Sequence, residues 1–260
     1  MNIAILVKQV PDTTEMKIDS VTGTLIRTGV PTIINPDDLA GIEAALQLKD
    51  RVGGTLTVVT MGPPQAEGML REILARGVDE AVLLSDAKFA GADTWATSTT
   101  LAAYLRQRSF DLIIAGRQAI DGDTAQVGPQ VAEKLGLPQV TYVEAIVNVE
   151  NNVLTLLKAY EDELEELEVT LPALITTLSS MNTPRLMNVV DAWIADEKPL
   201  HRVTFADLDL NDNEVGLKGS PTQVRKTFTR TLPSAALKTD LSPEEAATMI
   251  VDLLVPYMEA

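Results

Sequence analysis

Short apolar runs alternate with stretches of helical spacing along most of the chain. The runs predict strands buried on both faces of a sheet, and they cover residues 2–8, 55–61, 81–85, 112–115 and 172–178. Helical spacing in the intervening stretches predicts helices over about 65–76 and 93–108. A third helix is predicted to begin at Pro36, and a fourth to end at Leu135. Strands and helices that alternate in this way predict a parallel sheet with right-handed crossovers.

The predicted helices carry start and stop signals. Asn35 before Pro36 suits a helix start, because asparagine caps helices well and proline tolerates the first helical position. Asp93 caps the helix over 93–108 in the same way. For the helix that ends at Gly136, Asp123 is a candidate cap, with Gln126 three residues later as in a capping box.

The second half of the chain follows a different pattern. Residues 140–149 and 153–160 flank a Glu-Asn-Asn turn and predict a β-hairpin; a smaller hairpin is predicted at 16–27. Residues 161–168 are acidic, which is typical of a solvated turn or strand face. Residues 200–240 are polar with little periodicity, and a capped amphipathic helix follows Ser242. We therefore expect a domain over 1–198 and an extension over 199–260 that packs on a partner.

Composition narrows the classes of function. The chain of 260 residues has no cysteine, which excludes disulfides and thiol nucleophiles. Its single histidine, His201, excludes a multi-histidine metal site, and no metal is expected. The formal net charge of −16 argues against nonspecific nucleic-acid binding. We find no run long enough to span a bilayer and no signal peptide, and expect a cytoplasmic protein. Aromatic residues make up only 4%, so a redox cofactor would be held mostly by backbone and polar contacts or shared with another chain.

Residues 111–136 form the central candidate site. They predict a strand, a polar turn and the beginning of a helix. The first N–H groups of a helix have no partner within it and lie at the positive end of its dipole, so they suit a phosphate. The small residues Gly122, Thr124 and Ala125 leave room for such a group. Many strand-turn-helix units bind no ligand, so this pattern leaves a structural turn as the alternative.

Other loops are expected at the same edge of the sheet as this candidate site. Ligands of parallel sheets bind beyond the carboxyl ends of the strands. The loops at 8–12, 60–64 and 116–124 leave such ends, and the helix start at 35–38 joins them. We expect these four segments to converge on one edge of the sheet.

Several ordered motifs together resemble the beta subunits of electron transfer flavoproteins. The strongest match is Gly-Arg-Gln-Ala-Ile-Asp-Gly-Asp-Thr-Ala-Gln-Val-Gly-Pro at residues 116–129. Further matches lie at residues 7–12, 35–37, 60–63, 158–172 and 219–222. The resemblance covers nearly the whole chain. It implies an α/β, Rossmann-like (adenine nucleotide hydrolase-like) parallel sheet with an added β-hairpin region and a C-terminal arm that packs on an alpha subunit carrying FAD.

The resemblance also implies which residues bind the nucleotide. They lie at the end of the first strand, at the Asn-Pro helix start, after the second strand and along the fourth-strand loop. These residues are Leu6, Asn35, Pro36, Asp37, Asp38, Met61, Gly116, Arg117, Gln118, Ala119, Ile120, Asp121, Gly122, Asp123, Thr124, Ala125, Gln126 and Val127. No catalytic side chain is expected, because the flavin carries the chemistry.

The family has two branches. In one, the beta subunit holds a structural AMP. In the other, it holds a second FAD, which takes a hydride from NADH. That FAD sends the two electrons to different acceptors, one of which is an acyl-CoA dehydrogenase-type partner. Residues 60–64 and 116–123 resemble the bifurcating branch, and Gly122 leaves space for a diphosphate where the AMP branch often has an acid. We therefore expect FAD, with AMP as the alternative. A stand-alone ATP-hydrolysing domain is disfavoured, because no Walker-type Gly-Lys-Ser/Thr is present.

Two further expectations concern single segments. Arg117 either stabilises a reduced flavin or forms a surface or intersubunit ion pair. Many family members have a basic run after the Pro-Arg loop, where dehydrogenases dock, whereas residues 184–196 here have no lysine cluster. The docking segment at 186–190 therefore either serves a different, dedicated partner or packs against the alpha subunit.

Overall fold

A central nine-stranded sheet organises the molecule. The computed structural model describes residues 1–12, 17–18, 25–26, 31–223 and 241–258. The strands are β1 Asn2–Leu6, β2 Gln9–Pro11, β3 Lys17–Ile18, β4 Leu25–Ile26, β5 Thr32–Ile34, β6 Thr55–Met61, β7 Glu80–Leu84, β8 Leu112–Gly116, β9 Gln139–Glu150, β10 Val153–Ala159, β11 Leu164–Thr170, β12 Ala173–Thr177 and β13 Leu200–Val203. The helices are α1 Pro36–Val52, α2 Glu67–Leu74, α3 Thr94–Leu105, α4 Val127–Leu135, α5 Val189–Ile194 and α6 Pro243–Met258.

The sheet has the order β11-β10-β9-β12-β8-β1-β6-β7-β13. Neighbouring strands from β9 across to β13 are parallel, and β10 pairs antiparallel with both β9 and β11. The pairs β2–β5 and β3–β4 lie outside this sheet. The α/β class, the parallel sheet and the added hairpin are therefore confirmed.

Both faces of the sheet are covered. Successive side chains of β1 point to opposite faces, so Ile3 and Ile5 pack in one core and Ala4 and Leu6 in the other. Residues of α1 and α2 belong to the first core, and residues of α3 and α4 to the second. A strand buried on both faces has no polar side to present, which is why the central strands are continuous apolar runs.

The structure corrects the predicted start of α4. That helix begins at Val127 with Gln126 as its N-cap residue, so Asp123 does not cap it. The backbones of Asp123 and Ala125 have φ angles of 47° and 53°, which lie in the left-handed region and interrupt any helix. The capping box with Gln126 was therefore wrong, whereas Asp93 caps α3 as predicted and accepts from the Ala96 N–H.

Residues 200–203 were wrongly predicted to be irregular. They form β13, which pairs parallel with β7 at the edge of the sheet. Its residues His201 and Arg202 are exposed, so the strand lacks the apolar run that marks its buried neighbours. The sheet thus extends past residue 198, and the division of the chain there stays a prediction. Part of the expected loop at 8–12 is also a strand, β2, which pairs with β5.

Candidate functional site

A cavity of about 990 Å³ lies at the carboxyl ends of the parallel strands. Its walls come from the ends of β1, β6 and β8, from the loop after β7, from α3 and the first turn of α4, and from the β8–α4 loop, residues 117–126. Leu6, Val59, Met61, Phe89 and Leu101 give it an apolar interior. The volume lies near the upper end of the range of about 300–1,000 Å³ that is usual for small-molecule sites.

The β8–α4 loop has an unusual backbone. The N–H groups of Gly122 and Asp123 both donate to the carbonyl of Ala119, at 3.2 and 2.9 Å, which closes a turn. Asp123 and Ala125 are left-handed although neither is glycine. Alternating handedness of this kind turns successive N–H groups to one side and forms a concavity suited to an anion, and such strain concentrates at functional sites.

The first turn of α4 opens into the cavity. No side chain of the described residues caps it: Gln126 accepts instead from the hydroxyl of Thr94, at 2.7 Å. The N–H groups of Val127 and Gly128 belong to the first turn, where no intrahelical partner exists, and both residues line the cavity. A Cβ on Gly128 would lie 2.8 Å from the Thr176 methyl group, so this glycine lets the helix approach the sheet closely. The arrangement presents free N–H groups and the positive end of the α4 dipole to a ligand.

Asn35 joins the start of α1 to the β8–α4 loop. It is fully buried and occupies the N-cap position of α1, but its side chain does not cap the helix. Its amide donates to the Gln118 carbonyl at 2.8 Å, and its Oδ1 accepts from the Ile120 N–H at 3.1 Å. Asn35 therefore holds the loop at two residues, Gln118 and Ile120.

Asp38 connects the two central strands below the cavity. Its carboxylate accepts from the Lys8 N–H at 2.7 Å, the Gly116 N–H at 3.1 Å and the Asn35 amide at 3.1 Å. Burial raises the pKa of Asp38 to about 7, although these three hydrogen bonds oppose the shift. A buried carboxyl that titrates near neutrality in a cavity wall is a feature of functional sites.

Arg117 lies on the cavity wall beside Asp37. Its Nε lies 3.3 Å from Oδ2 of Asp37, and its guanidinium carbon lies 5.6 Å from the centre of the Tyr142 ring. Within the described part of the chain, neither Arg117 Nε nor Asp37 Oδ2 makes a hydrogen bond, although both are buried. The two atoms face each other as an ion pair, so Asp37 offsets part of the Arg117 charge at the cavity wall.

The structure brings the predicted site residues together at one edge. Twelve of them line the cavity, namely Leu6, Asp38, Met61, Gly116, Arg117, Gln118, Ala119, Gly122, Thr124, Ala125, Gln126 and Val127. The other six lie just outside the lining, namely Asn35, Pro36, Asp37, Ile120, Asp121 and Asp123. Five of these support the loop or its neighbours: Asn35 and Ile120 bond to each other, Asp37 pairs with Arg117, Asp121 pairs with Lys8, and Asp123 accepts from the Gln118 amide. Which of the eighteen residues contact a ligand stays a prediction.

One wall of the cavity was missed. It consists of residues 85–94 without Lys88, together with Thr97 and Thr222. Asp93 holds Thr222 there, because its carboxylate accepts from both the N–H and the hydroxyl of Thr222, at 2.9 and 2.8 Å. The loop after β7 could have been predicted, because ligands of parallel sheets bind beyond the carboxyl ends of the strands. Nothing in the local sequence places Thr222 at the cavity.

Comparisons with known proteins agree with this architecture. The family model "Electron transfer flavoprotein domain" matches residues 22–208. The electron transfer flavoprotein subunit beta of Clostridium acetobutylicum is 52% identical over 254 residues, which covers 98% of each chain. The chain is a beta subunit of the electron transfer flavoproteins.

Two further relatives of this beta subunit carry names that refer to enzyme complexes. The caffeyl-CoA reductase-Etf complex subunit CarD of Acetobacterium woodii is 53% identical over 230 residues, 88% of this chain and 87% of the relative. The acryloyl-CoA reductase electron transfer subunit gamma of Anaerotignum propionicum is 42% identical over 263 residues, 98% of each chain. A beta subunit implies an alpha partner, so the protein acts as one half of a heterodimer.

Two apolar surfaces of this beta subunit are exposed. One consists of Leu186, Val189, Val190 and Trp193, whose exposed fractions lie between 71% and 86%. The other is α6, where Ile250, Val251, Leu253 and Leu254 are at least half exposed. Neither α6 nor any other helix in the described ranges has the length and apolarity needed to cross a membrane. The roles predicted for residues 186–190 and for the C-terminal arm stay predictions.

Proposed function

We propose that this beta subunit binds FAD in the cavity, with the pyrophosphate on the β8–α4 loop and the first turn of α4. FAD bound there would accept a hydride from NADH and send its two electrons separately to the alpha-subunit FAD and to an acyl-CoA dehydrogenase-type partner. The single observation that carries the proposal is the cavity itself, which combines free N–H groups at one end with a long apolar interior.

The residues present fit such a ligand. The left-handed residues Asp123 and Ala125 and the free N–H groups of Val127 and Gly128 would hold the phosphates. Leu6, Met61 and Phe89 offer apolar surface to the rings. Arg117 lines the cavity and would supply a positive charge beside the ligand.

Two sets of observations bear on the choice between FAD and AMP, namely the names of the relatives and the space in the cavity. Two of them refer to CoA-ester reductase complexes, which supports a dedicated dehydrogenase-type partner for this chain as well. The cavity of about 990 Å³ lies near the upper end of the usual range for small-molecule sites, and Gly122 has no atom within 4 Å of where its Cβ would lie. A structural AMP remains the second candidate, because the same loop would bind a single phosphate equally well.

Identification of the bound ligand tests the proposal. The heterodimer should be purified after co-expression with its alpha subunit, denatured, and its ligands separated and counted. We expect two FAD per heterodimer and reduction of flavin by NADH under anaerobic conditions. One FAD and one AMP, without reduction by NADH, would replace the proposal with the AMP alternative.

A further inference from the structure

The β8–α4 loop is joined to the rest of the site by two contacts of different kinds. The inner contact is Asn35, which is fully buried and holds Gln118 and Ile120. The outer contact is an ion pair between Lys8, which follows β1, and Asp121 in the loop. Both contacts hold the part of the loop at residues 118–121 close to the end of β1 and the start of α1.

The outer contact has well-defined geometry. Nζ of Lys8 lies 2.7 Å from Oδ1 and 2.8 Å from Oδ2 of Asp121, so it bonds to both carboxylate oxygens. The side chains are 51% and 29% exposed. Lys8 lines the cavity and Asp121 does not, so the pair joins the cavity wall to the outer side of the loop.

The two contacts differ in how easily they break. Opening the inner contact would leave a buried amide and two backbone groups without partners, which is costly. An exposed ion pair contributes little, because water and salt solvate the separated charges well. Thermal opening of the loop should therefore begin at Asp121 while Asn35 still holds Gln118.

We propose that the Lys8–Asp121 ion pair is a positioning contact that keeps the outer part of the β8–α4 loop closed and thereby sets how long an adenine nucleotide stays bound. This inference rests on the proposed function, since it concerns a nucleotide in the same cavity. Lys8 acts here through Asp121 and the loop rather than by contact with the nucleotide. The ion pair does not determine whether the protein folds, because Asn35 holds the loop independently.

Release of a fluorescent adenosine diphosphate tests the role of the pair. The full chain with its alpha subunit, freed of ligand, would be loaded with mant-ADP, and release would be followed after addition of excess ADP. Asp121→Asn should release the probe about two to five times faster, as expected for loss of a partly exposed ion pair. In wild type the release rate should rise between 0.05 and about 1 M salt, where screening becomes strong, and in Asp121→Asn it should rise less, because only the contribution of the ion pair is missing.

A second ion pair provides the matched control. Lys88 and Asp212 are also a lysine–aspartate pair with a separation of 2.7 Å and side chains 47% and 58% exposed, and neither residue lines the cavity. Asp212→Asn should leave both the release rate and its salt dependence unchanged. Equal effects of Asp212→Asn and Asp121→Asn would mean that general charge, rather than the loop contact, controls release, and would overturn the proposal.

A double-mutant cycle separates this role from direct contact between Lys8 and the nucleotide. If Lys8 acts only through Asp121, then Lys8→Met, Asp121→Asn and the double variant should release mant-ADP at the same rate. Additive effects, or tighter binding by Asp121→Asn, would show that Lys8 contacts the phosphates itself and would overturn the proposal. A wild-type protein that binds no mant-ADP, FAD or AMP would instead overturn the proposed function and this inference with it.

Discussion

Gly116 lies so close to the start of α1 that no side chain fits there. A Cβ on this residue would lie 2.1 Å from Oδ1 and 2.8 Å from the backbone nitrogen of Asp38. The end of β8 and the start of α1 can therefore touch only at a glycine. This contact lets the Gly116 N–H donate to Asp38 and brings the β8–α4 loop next to Asn35.

We expect Gly116→Ala to destabilise the protein. The added methyl group would push against the backbone of Asp38, which cannot rotate away, and overpacking of this kind costs about 1–3 kcal/mol. Gly122→Ala is the matched control in the same loop region, since nothing lies within 4 Å of its Cβ and its φ is not in the left-handed region. Chemical denaturation should show the loss for Gly116→Ala only; equal stability of the two variants would contradict the close contact.

Asp38 should make stability depend on pH. Because the pKa of this carboxyl is raised from 3.8 to about 7 in the folded protein, the folded state binds more protons than the unfolded state between these values. The stability that the protonated group contributes is therefore fully present below about pH 4 and is lost as the pH rises through 7.

The comparison of wild type with Asp38→Asn isolates this effect. Relative to the variant, the free energy of unfolding of wild type should fall by about 2–3 kcal/mol between pH 5 and pH 8. Denaturation curves at several pH values measure the difference. An unchanged difference across this range would mean that Asp38 does not titrate near neutrality.

At the scale of elements, the site is made by helix starts and strand ends. The N-terminus of α3 is satisfied by its own Asp93, whereas that of α4 has no side-chain cap and faces the cavity. Asp123, the predicted cap, has a left-handed backbone, and its carboxylate accepts from the Gln118 amide at 3.0 Å rather than from the first turn of α4. Of these two helices, α4 is therefore the one that offers N–H groups of its first turn to a ligand.

Asn35 links these elements, and its loss should be costly. Asn35→Ala would leave the Gln118 carbonyl and the Ile120 N–H without their partner, and each unsatisfied buried group costs about 1–3 kcal/mol. We expect a loss of about 2–4 kcal/mol in chemical denaturation and weaker nucleotide binding. Asn211→Ala is the control, because the exposed Asn211 bonds only to Glu214 nearby, and such surface changes stay within about 0.5 kcal/mol. Similar losses in both variants would argue against a special role of Asn35.

At the scale of the whole molecule, the apolar side chains of α6 are not covered by the described part of the chain. Its apolar residues are exposed along its length in the described part of the chain, including Leu253 at 60% and Leu254 at 51%. Apolar exposure on this scale is typical of a surface that a partner covers. The prediction that this C-terminal arm packs on the alpha subunit stays a prediction, and it can be tested at α6.

Leu254→Glu should therefore impair assembly but not folding. A charge placed in an apolar interface should weaken association with the alpha subunit by about tenfold or more. The melting temperature of the isolated chain should not change, since Leu254 is exposed there. Asp252→Asn on the same helix is the control and should assemble normally. Titration of the alpha subunit measures both, and normal assembly of Leu254→Glu would place the interface elsewhere.

Local sequence was sufficient for most of the buried elements. The strands β1, β6, β7, β8 and β12 follow from continuous apolar runs, because burial on both faces leaves no polar position. The convergence of the loops at 8–12, 60–64 and 116–124 followed from the rule for parallel strands. The start of α4 was missed because side-chain preferences do not reveal left-handed backbone at Asp123 and Ala125, which the surrounding contacts impose.

The sequence by itself determined the α/β class, the central parallel strands, the position of the site at their carboxyl ends and the family. These depend on residue pattern and on motifs that lie within short stretches. Only the tertiary structure decided that Asn35 holds the loop rather than the helix, that Lys8 pairs with Asp121, and that Thr222 closes the cavity wall through Asp93. Such contacts join residues 83 to 129 positions apart, so they depend on how the elements pack, and no local pattern encodes them.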